Sequence, residues 1–195
     1  MTRTQTAIAS FAILLASGAA LAQIQPREPI PTQERIPPGG RPLEPKVKVT
    51  GPCRVDPRVG AITLAKVSAK STSVQITFEV INGGPSAWSS GANQQSVTIT
   101  ARNNNSGAVY RDSKPLSASA ASGARMLYHT TPTINDAFDN FEFGGTVDVS
   151  ISYDPDIYTD GNNCNDDTNP ANNRKTIDYR AILAFMNGSR LSQTF

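Results

Sequence analysis

The chain has 195 residues, a formal net charge of +2 at pH 7 and 17% charged side chains. A balance this close to neutral argues against nucleic-acid binding, which needs clustered lysine and arginine. The chain has no apolar run of the roughly 20 residues that a membrane helix requires, so the sequence predicts no transmembrane segment in the mature protein.

The first 22 residues have the features of a secretory signal peptide. Arg3 precedes an apolar stretch over residues 7–21, which ends in the small-residue site Ala20-Leu21-Ala22. We therefore expect cleavage before Gln23 and export, to the periplasm or to the extracellular space.

Residues 23–52 form a proline-rich linker, which we predict to be extended or disordered. They hold eight of the 14 prolines of the chain. Proline lacks an amide hydrogen and fixes φ, so such a stretch neither pairs in a sheet nor sustains a helix, and it favours a polyproline conformation. We interpret the segment either as a semi-rigid tether or as a leader without a role.

From residue 59 onward, apolar and polar side chains alternate, as is typical of half-buried strands. The alternation is clear at Val74, Ile76, Phe78 and Val80. A turn at residues 103–107 predicts a hairpin. The predicted strands lie around residues 59–66, 74–80, 97–99, 109–111, 123–130, 145–153 and 174–179.

This pattern predicts an all-β, immunoglobulin-like sandwich of about seven strands over residues 53–180. Residues 179–186 read either as a helix or as a continuation of the last strand. Residues 181–195 are predicted to be a C-terminal extension.

Cys53 and Cys164 are the only cysteines. In an exported chain, oxidising conditions favour their pairing over two free thiols. The topology of an immunoglobulin-like sandwich agrees, because its first strand starts at the end where the loop between the last two strands lies. Cys53 precedes the first predicted strand and Cys164 lies in that loop, so we predict a disulfide.

Three segments, taken in order and spacing, resemble a bacterial family. They are Phe78-Glu79-Val80-Ile81-Asn82-Gly83-Gly84, residues 116–123, and residues 147–154 followed by Asn172-Asn173. Over about residues 59–178 the chain is similar to CARDB, the cell-adhesion-related immunoglobulin-like module. The resemblance implies that fold and adhesion-type binding, and it points to Asn82, Asn172 and Asn173 as binding residues. The loop is longer here than in the family and contains Cys164, so the resemblance supports the fold more than adhesion.

The loop over residues 154–167 concentrates five carboxylates and three asparagines. Calcium prefers six to eight such oxygen ligands, although the EF-hand pattern is absent. The alternative is a solvated loop in which aspartate and asparagine make side-chain turns. The candidate calcium ligands are Asp154, Asp156, Asp160, Asn162, Asp166 and Asp167.

Trp88 lies in a loop that we expect at the same end as the acidic loop. An exposed indole there would stack on a sugar or anchor a protein partner, whereas packing in the core is the alternative. His129 is the only histidine, and the motifs of a Ser-His-Asp or zinc site are missing, so we predict no catalytic residues.

The expected function is that of an exported, non-enzymatic binding or adhesion-type module. It would recognise an envelope protein or an extracellular polymer, such as a polysaccharide, through the loops at the end of Trp88 and Cys164. The alternatives are a structural or assembly component of the envelope, joined through edge strands or the linker, and a weak hydrolase. The sequence leaves the oligomeric state open.

Overall fold

A strand forms at each of the seven stretches where the sequence predicts one. The computed structural model describes residues 52–195. The predicted signal peptide, and the predicted linker apart from Pro52, lie outside the described residues. The strands are β1 (Pro57–Lys66), β2 (Val74–Asn82), β3 (Trp88–Ser89), β4 (Gln95–Asn103), β5 (Val109–Pro115), β6 (Ser119–Ala120), β7 (Arg125–Thr130), β8 (Gly145–Tyr153), β9 (Arg174–Ile177) and β10 (Ser192–Thr194).

Eight of the strands form two four-stranded antiparallel sheets. One has the order β10-β1-β2-β7 and the other has the order β5-β4-β8-β9, while β3 and β6 pair with each other. Placing β1, β2 and β7 against β9, β8, β4 and β5 gives the arrangement of an immunoglobulin-like sandwich. The predicted fold class is therefore confirmed, and so is the hairpin, since β4 pairs with β5 in register from Ser96↔Pro115 to Arg102↔Val109.

The core lies between the two sheets and is built by the side chains that point inward from each strand. In β2 the fully buried apolar side chains are Val74, Ile76, Phe78 and Val80, as the alternation predicts. Strands β4 and β8 contribute valine and isoleucine from the opposite sheet. Burying each such side chain stabilises the fold by roughly 1.5 to 3 kcal/mol.

Helix α1 (Tyr179–Asn187) follows β9, so the helical alternative for residues 179–186 is the one observed. The Asp178 carboxylate caps it by accepting the amide of Ala181 at 2.9 Å. Ile182, Phe185 and Met186 share one helix face and are buried in the core. With nine residues, α1 is short, and no helix within residues 52–195 has the length and apolarity to cross a bilayer.

The last residues of the chain complete the first sheet. Strand β10 pairs with β1 between Thr63↔Thr194 and Ala65↔Ser192. Residues 181–195, predicted as an extension beyond the sandwich, supply this strand and most of α1. The boundary predicted at residue 180 therefore does not separate the extension from the core.

A buried lysine connects β1 to α1. Lys66 continues the inward phase of Ile62 and Leu64 and is 5% exposed. Its ammonium donates to the carbonyl oxygens of Phe185 at 3.1 Å and Gly188 at 2.7 Å. Both oxygens lie at the C-terminal end of the helix, where carbonyl oxygens carry partial negative charge. The lysine therefore adds a charged donor to the amide of Gly188, which bonds to the carbonyls of Ala184 and Phe185.

Replacing Lys66 with methionine is expected to lower the free energy of unfolding by about 2 to 3 kcal/mol. The apolar chain keeps most of the packing, but the helix carbonyls lose a charged donor, and bonds to charged groups are worth about 1.5 to 3 kcal/mol. Urea denaturation followed by circular dichroism measures the loss. Lys70→Met, at an exposed loop position, is the control, and an equal loss in both variants would contradict the capping role.

Candidate functional site

The predicted disulfide between Cys53 and Cys164 is present, with Cα atoms 5.0 Å apart. It joins the segment before β1 to the loop between β8 and β9. Next to it, Val55 pairs with Asp167 in a parallel bridge, and Thr168 donates its amide (3.0 Å) and hydroxyl (2.7 Å) to the Val55 carbonyl. We call residues 53–56, 83–94 and 154–173 together the disulfide end.

Asn82, the last residue of β2, adjoins the disulfide end and organises it. Its amide nitrogen donates to the carbonyl of Ser86 at 2.8 Å and to that of Ala120 at 3.2 Å. Its oxygen accepts the amides of Asp56 and Gly84, each at 3.2 Å. Since Asn82 is fully buried, it fixes the chain around it and is not on the binding surface predicted for it.

Trp88 packs in the core, so of the two alternatives for this residue the structure has core packing and not an exposed indole. The residue is 1% exposed and belongs to the short strand β3. Its ring centroid lies 6.0 Å from that of Tyr153. The indole nitrogen is buried and has no hydrogen-bond partner among the described residues. This ring is therefore not available to stack on a sugar.

The first part of the acidic loop forms side-chain turns. Asp154 accepts the amide of Asp156 at 3.1 Å and caps a 3-10 turn, Pro155–Tyr158. Asp160 accepts the side-chain amide of Asn165 and the backbone amide of Asn162, each at 2.7 Å. The bond from Asn165, followed by that from Asn162, holds the pKa of Asp160 below its usual range.

The second part of the loop is tied to the sandwich. Asp167 is buried and accepts the side-chain amide of Asn173 at 2.6 Å and the Tyr153 hydroxyl at 3.1 Å. Burial, and then the charge of Asp167, raises the pKa of Tyr153. Asn172 donates to Asp56 at 2.9 Å, which links a second 3-10 turn, Pro170–Asn172, to the segment before β1. The Asn172-Asn173 pair therefore holds the loop.

The structure spreads the predicted calcium ligands along the loop. In residues 52–195 no three side chains of histidine, cysteine, aspartate or glutamate are grouped so that they could hold a metal ion. Asn162 accepts the amide of Cys164 at 3.1 Å and donates to the Ser89 carbonyl at 2.6 Å. Asp166 has one buried oxygen without a hydrogen-bond partner in the described chain. Calcium binding stays a prediction.

Tyr158 is the aromatic side chain that reaches the surface of the disulfide end. Its ring centroid lies 6.2 Å from that of Tyr153, so Trp88, Tyr153 and Tyr158 form a series from the core outward. Tyr158 is 51% exposed, while the preceding Ile157 is fully buried. Burial, and then the charges of the neighbouring aspartates, raises the pKa of the Tyr158 hydroxyl.

Sequence reasoning did not select Tyr158, although a signal was present. Ile157 and Tyr158 are consecutive apolar residues inside an acidic loop. In a tight turn one such side chain anchors the loop while its neighbour points outward. Which of the two is exposed depends on the packing against Tyr153.

Fold and site together define the class of protein: an immunoglobulin-like β-sandwich whose disulfide anchors a loop-rich end. Comparison of the chain with protein-family models, with curated proteins and with solved structures finds no match. The similarity to CARDB modules therefore stays a prediction.

Proposed function

We propose that this chain is an exported, non-enzymatic interaction module that recognises an envelope protein or extracellular polymer through its disulfide end. The half-exposed ring of Tyr158, held on a turn that the disulfide and buried Ile157 anchor, carries the proposal. Aromatic side chains dominate binding surfaces, and a contact fixed before binding loses little entropy when the partner arrives. The disulfide is consistent with an oxidising, extracytoplasmic compartment.

The charge around Tyr158 favours a particular kind of partner. Residues 154–167 contain five carboxylates and no lysine or arginine, and Asp154, Asp156 and Asp160 are exposed. These carboxylates around Tyr158 accelerate association with a positively charged surface and repel an acidic one. We expect the partner to present basic or hydroxyl groups around a site that accepts an aromatic ring.

Tyr158→Ala is expected to weaken capture of the partner by roughly 30-fold, since a central aromatic contact contributes about 2 kcal/mol or more. The assay immobilises the mature chain and exposes it to an envelope extract and to a glycan array. Running it with calcium and with a chelator tests the predicted calcium dependence in the same assay.

Tyr128→Ala is the matched control, because Tyr128 is a 60% exposed tyrosine on β7, outside the disulfide end. Melting temperatures of both variants show whether folding is retained. Equal losses of capture in the two variants, or capture unchanged in Tyr158→Ala, would contradict the proposal.

Of the four sheet edges, those formed by β5 and β7 favour binding over assembly. Strands β5 and β7 are edge strands, and Asp112 and Lys114 of β5 lie opposite buried residues of β4, so they face inward. His129 of β7 faces the same gap, with its ring nitrogen 3.4 Å from the Asp112 carboxylate. Inward-facing charges disfavour edge-to-edge pairing. Light scattering separates the proposals, because a stable oligomer would favour assembly.

A further inference from the structure

Four buried polar atoms at the disulfide end have no hydrogen-bond partner within the described chain. They are the indole nitrogen of Trp88 and one side-chain oxygen each of Asn165, Asp166 and Asn172. Buried polar groups are normally paired, so each such atom calls for a specific reason. Since three of the four are oxygens, which accept hydrogen bonds or bind cations, the arrangement favours a cationic ligand over an anionic one.

Asn165 is the strongest of these cases, because the whole residue is buried, with 0% of its surface exposed. Its amide nitrogen donates to the Asp160 carboxylate at 2.7 Å. An ionised carboxylate only accepts hydrogen bonds, so the nitrogen has to face Asp160 and the amide cannot be turned over. The unpartnered atom of Asn165 is therefore its oxygen.

The unpartnered oxygen lies close to a carboxylate that can bind more than it does. Because the nitrogen and oxygen of an amide share one carbon atom, Asn165 Oδ1 is at most about 5 Å from the Asp160 oxygen that accepts the nitrogen. Oxygens that surround one calcium ion at about 2.3 to 2.6 Å are separated by no more than about 5 Å. Asp160 accepts Asn162 on one oxygen and Asn165 on the other, whereas a carboxylate has about four acceptor positions. Both groups can therefore belong to the shell of one ion.

The surroundings of Asn165 attract a cation. Residues 154–167 contain five carboxylates and no lysine or arginine. Asp166, which follows Asn165, has a buried carboxylate oxygen without a partner in the described chain. Cys164, which precedes Asn165, is fixed by the disulfide. The position is therefore surrounded by negative charge and anchored before an ion arrives.

We propose that Asp160 and Asn165 hold a calcium ion at the disulfide end. Calcium takes carboxylate and amide oxygens together, with water in the remaining positions. Of the six ligands predicted from the sequence, only Asp160 takes part, and the buried amide of Asn165 supplies an oxygen that the sequence did not indicate. With one carboxylate bound, the affinity is low, with a dissociation constant of about 10⁻⁴ to 10⁻³ M, as in extracellular modules.

The test follows the melting temperature of the mature chain in increasing calcium chloride. A ligand that binds only the folded chain raises this temperature, and we expect a rise of roughly 3 to 6 °C in about 10 mM calcium. Asp160→Asn is expected to weaken the affinity about tenfold or more, because it removes the charged ligand. Asp156→Asn is the matched control, since it removes the same charge from another exposed aspartate of the loop. Its affinity should stay within about twofold of that of the wild type.

Asn165→Asp tests the buried oxygen itself. A second carboxylate beside Asp160 is expected to lower the melting temperature in a chelator, because like charges repel. Calcium should reverse this loss and bind about tenfold more tightly than to the wild type, since ligand charge sets the affinity. Asn103→Asp changes a buried asparagine at the other end of β4, away from the disulfide end, and should show no such reversal.

Three results would overturn the proposal: no effect of calcium on the wild type, equal weakening in Asp156→Asn and Asp160→Asn, or no recovery of Asn165→Asp in calcium. An equal rise in magnesium chloride would also overturn it, because magnesium requires a smaller octahedral shell and a general effect of salt would then explain the shift. The measurement involves no partner, so it stands whether or not the binding proposed for Tyr158 is found.

Discussion

Replacing Cys53 and Cys164 together with serine is expected to lower the free energy of unfolding of the mature chain by about 4 kcal/mol. The cysteines are 111 positions apart, and a bridge that closes a loop of this length removes much of the conformational freedom of the unfolded chain. The folded state loses little else, because Val55 and Thr168 remain hydrogen-bonded beside the former bridge. The loss therefore comes mainly from a less constrained unfolded chain.

Urea denaturation of the oxidised wild type and of the double serine variant measures this difference. Reduction of the wild type with a thiol reductant provides an independent control, and it should move the unfolding midpoint to that of the variant. A loss below about 1 kcal/mol would show that the unfolded chain is not constrained by the bridge as the chain-entropy account requires. Loss of structure at residues 154–173 alone would place the effect in the folded state instead.

The sandwich was predictable from sequence wherever a strand was long enough to show a period. Phase alone placed Phe78 in the core, whereas no sequence rule indicated that Lys66 would cap the carbonyl oxygens of α1. Strand β3 has two residues and β10 has three, which is too short for alternation to be visible. The pairing of Thr63 with Thr194 spans 131 positions, and such distant contacts leave no local signal.

For the candidate site, the sequence identified residues but not their roles. Sequence order selected Asn82, Asn172 and Asn173, and all three lie in or beside the disulfide end. Their roles were not predictable, because an amide can serve a ligand or the protein's own backbone equally well. Only the three-dimensional arrangement shows that the amide nitrogens of Asn82 and Asn173 bind groups of the protein itself.

Trp88→Ala is expected to lower the free energy of unfolding by about 3 to 5 kcal/mol, the cost of removing a large, fully buried aromatic side chain. Trp88 packs against Tyr153, which in turn contacts Tyr158 and Asp167. Removing the indole therefore loosens the turn that displays Tyr158. Capture of a partner would fall in this variant even though the indole itself contacts no partner.

Trp88→Phe separates packing from binding. It keeps an aromatic ring in the core, and it also removes an indole N–H that is buried without a hydrogen-bond partner among the described residues. Because an unpaired buried donor is itself destabilising, this loss offsets part of the lost packing, and we expect a destabilisation of about 1 to 2 kcal/mol with capture preserved. If Trp88→Ala unfolded at the same urea concentration as the wild type and still lost capture, the indole would be a surface contact. The assignment of Tyr158 as the exposed aromatic contact, which depends on the burial of Trp88, would then be refuted.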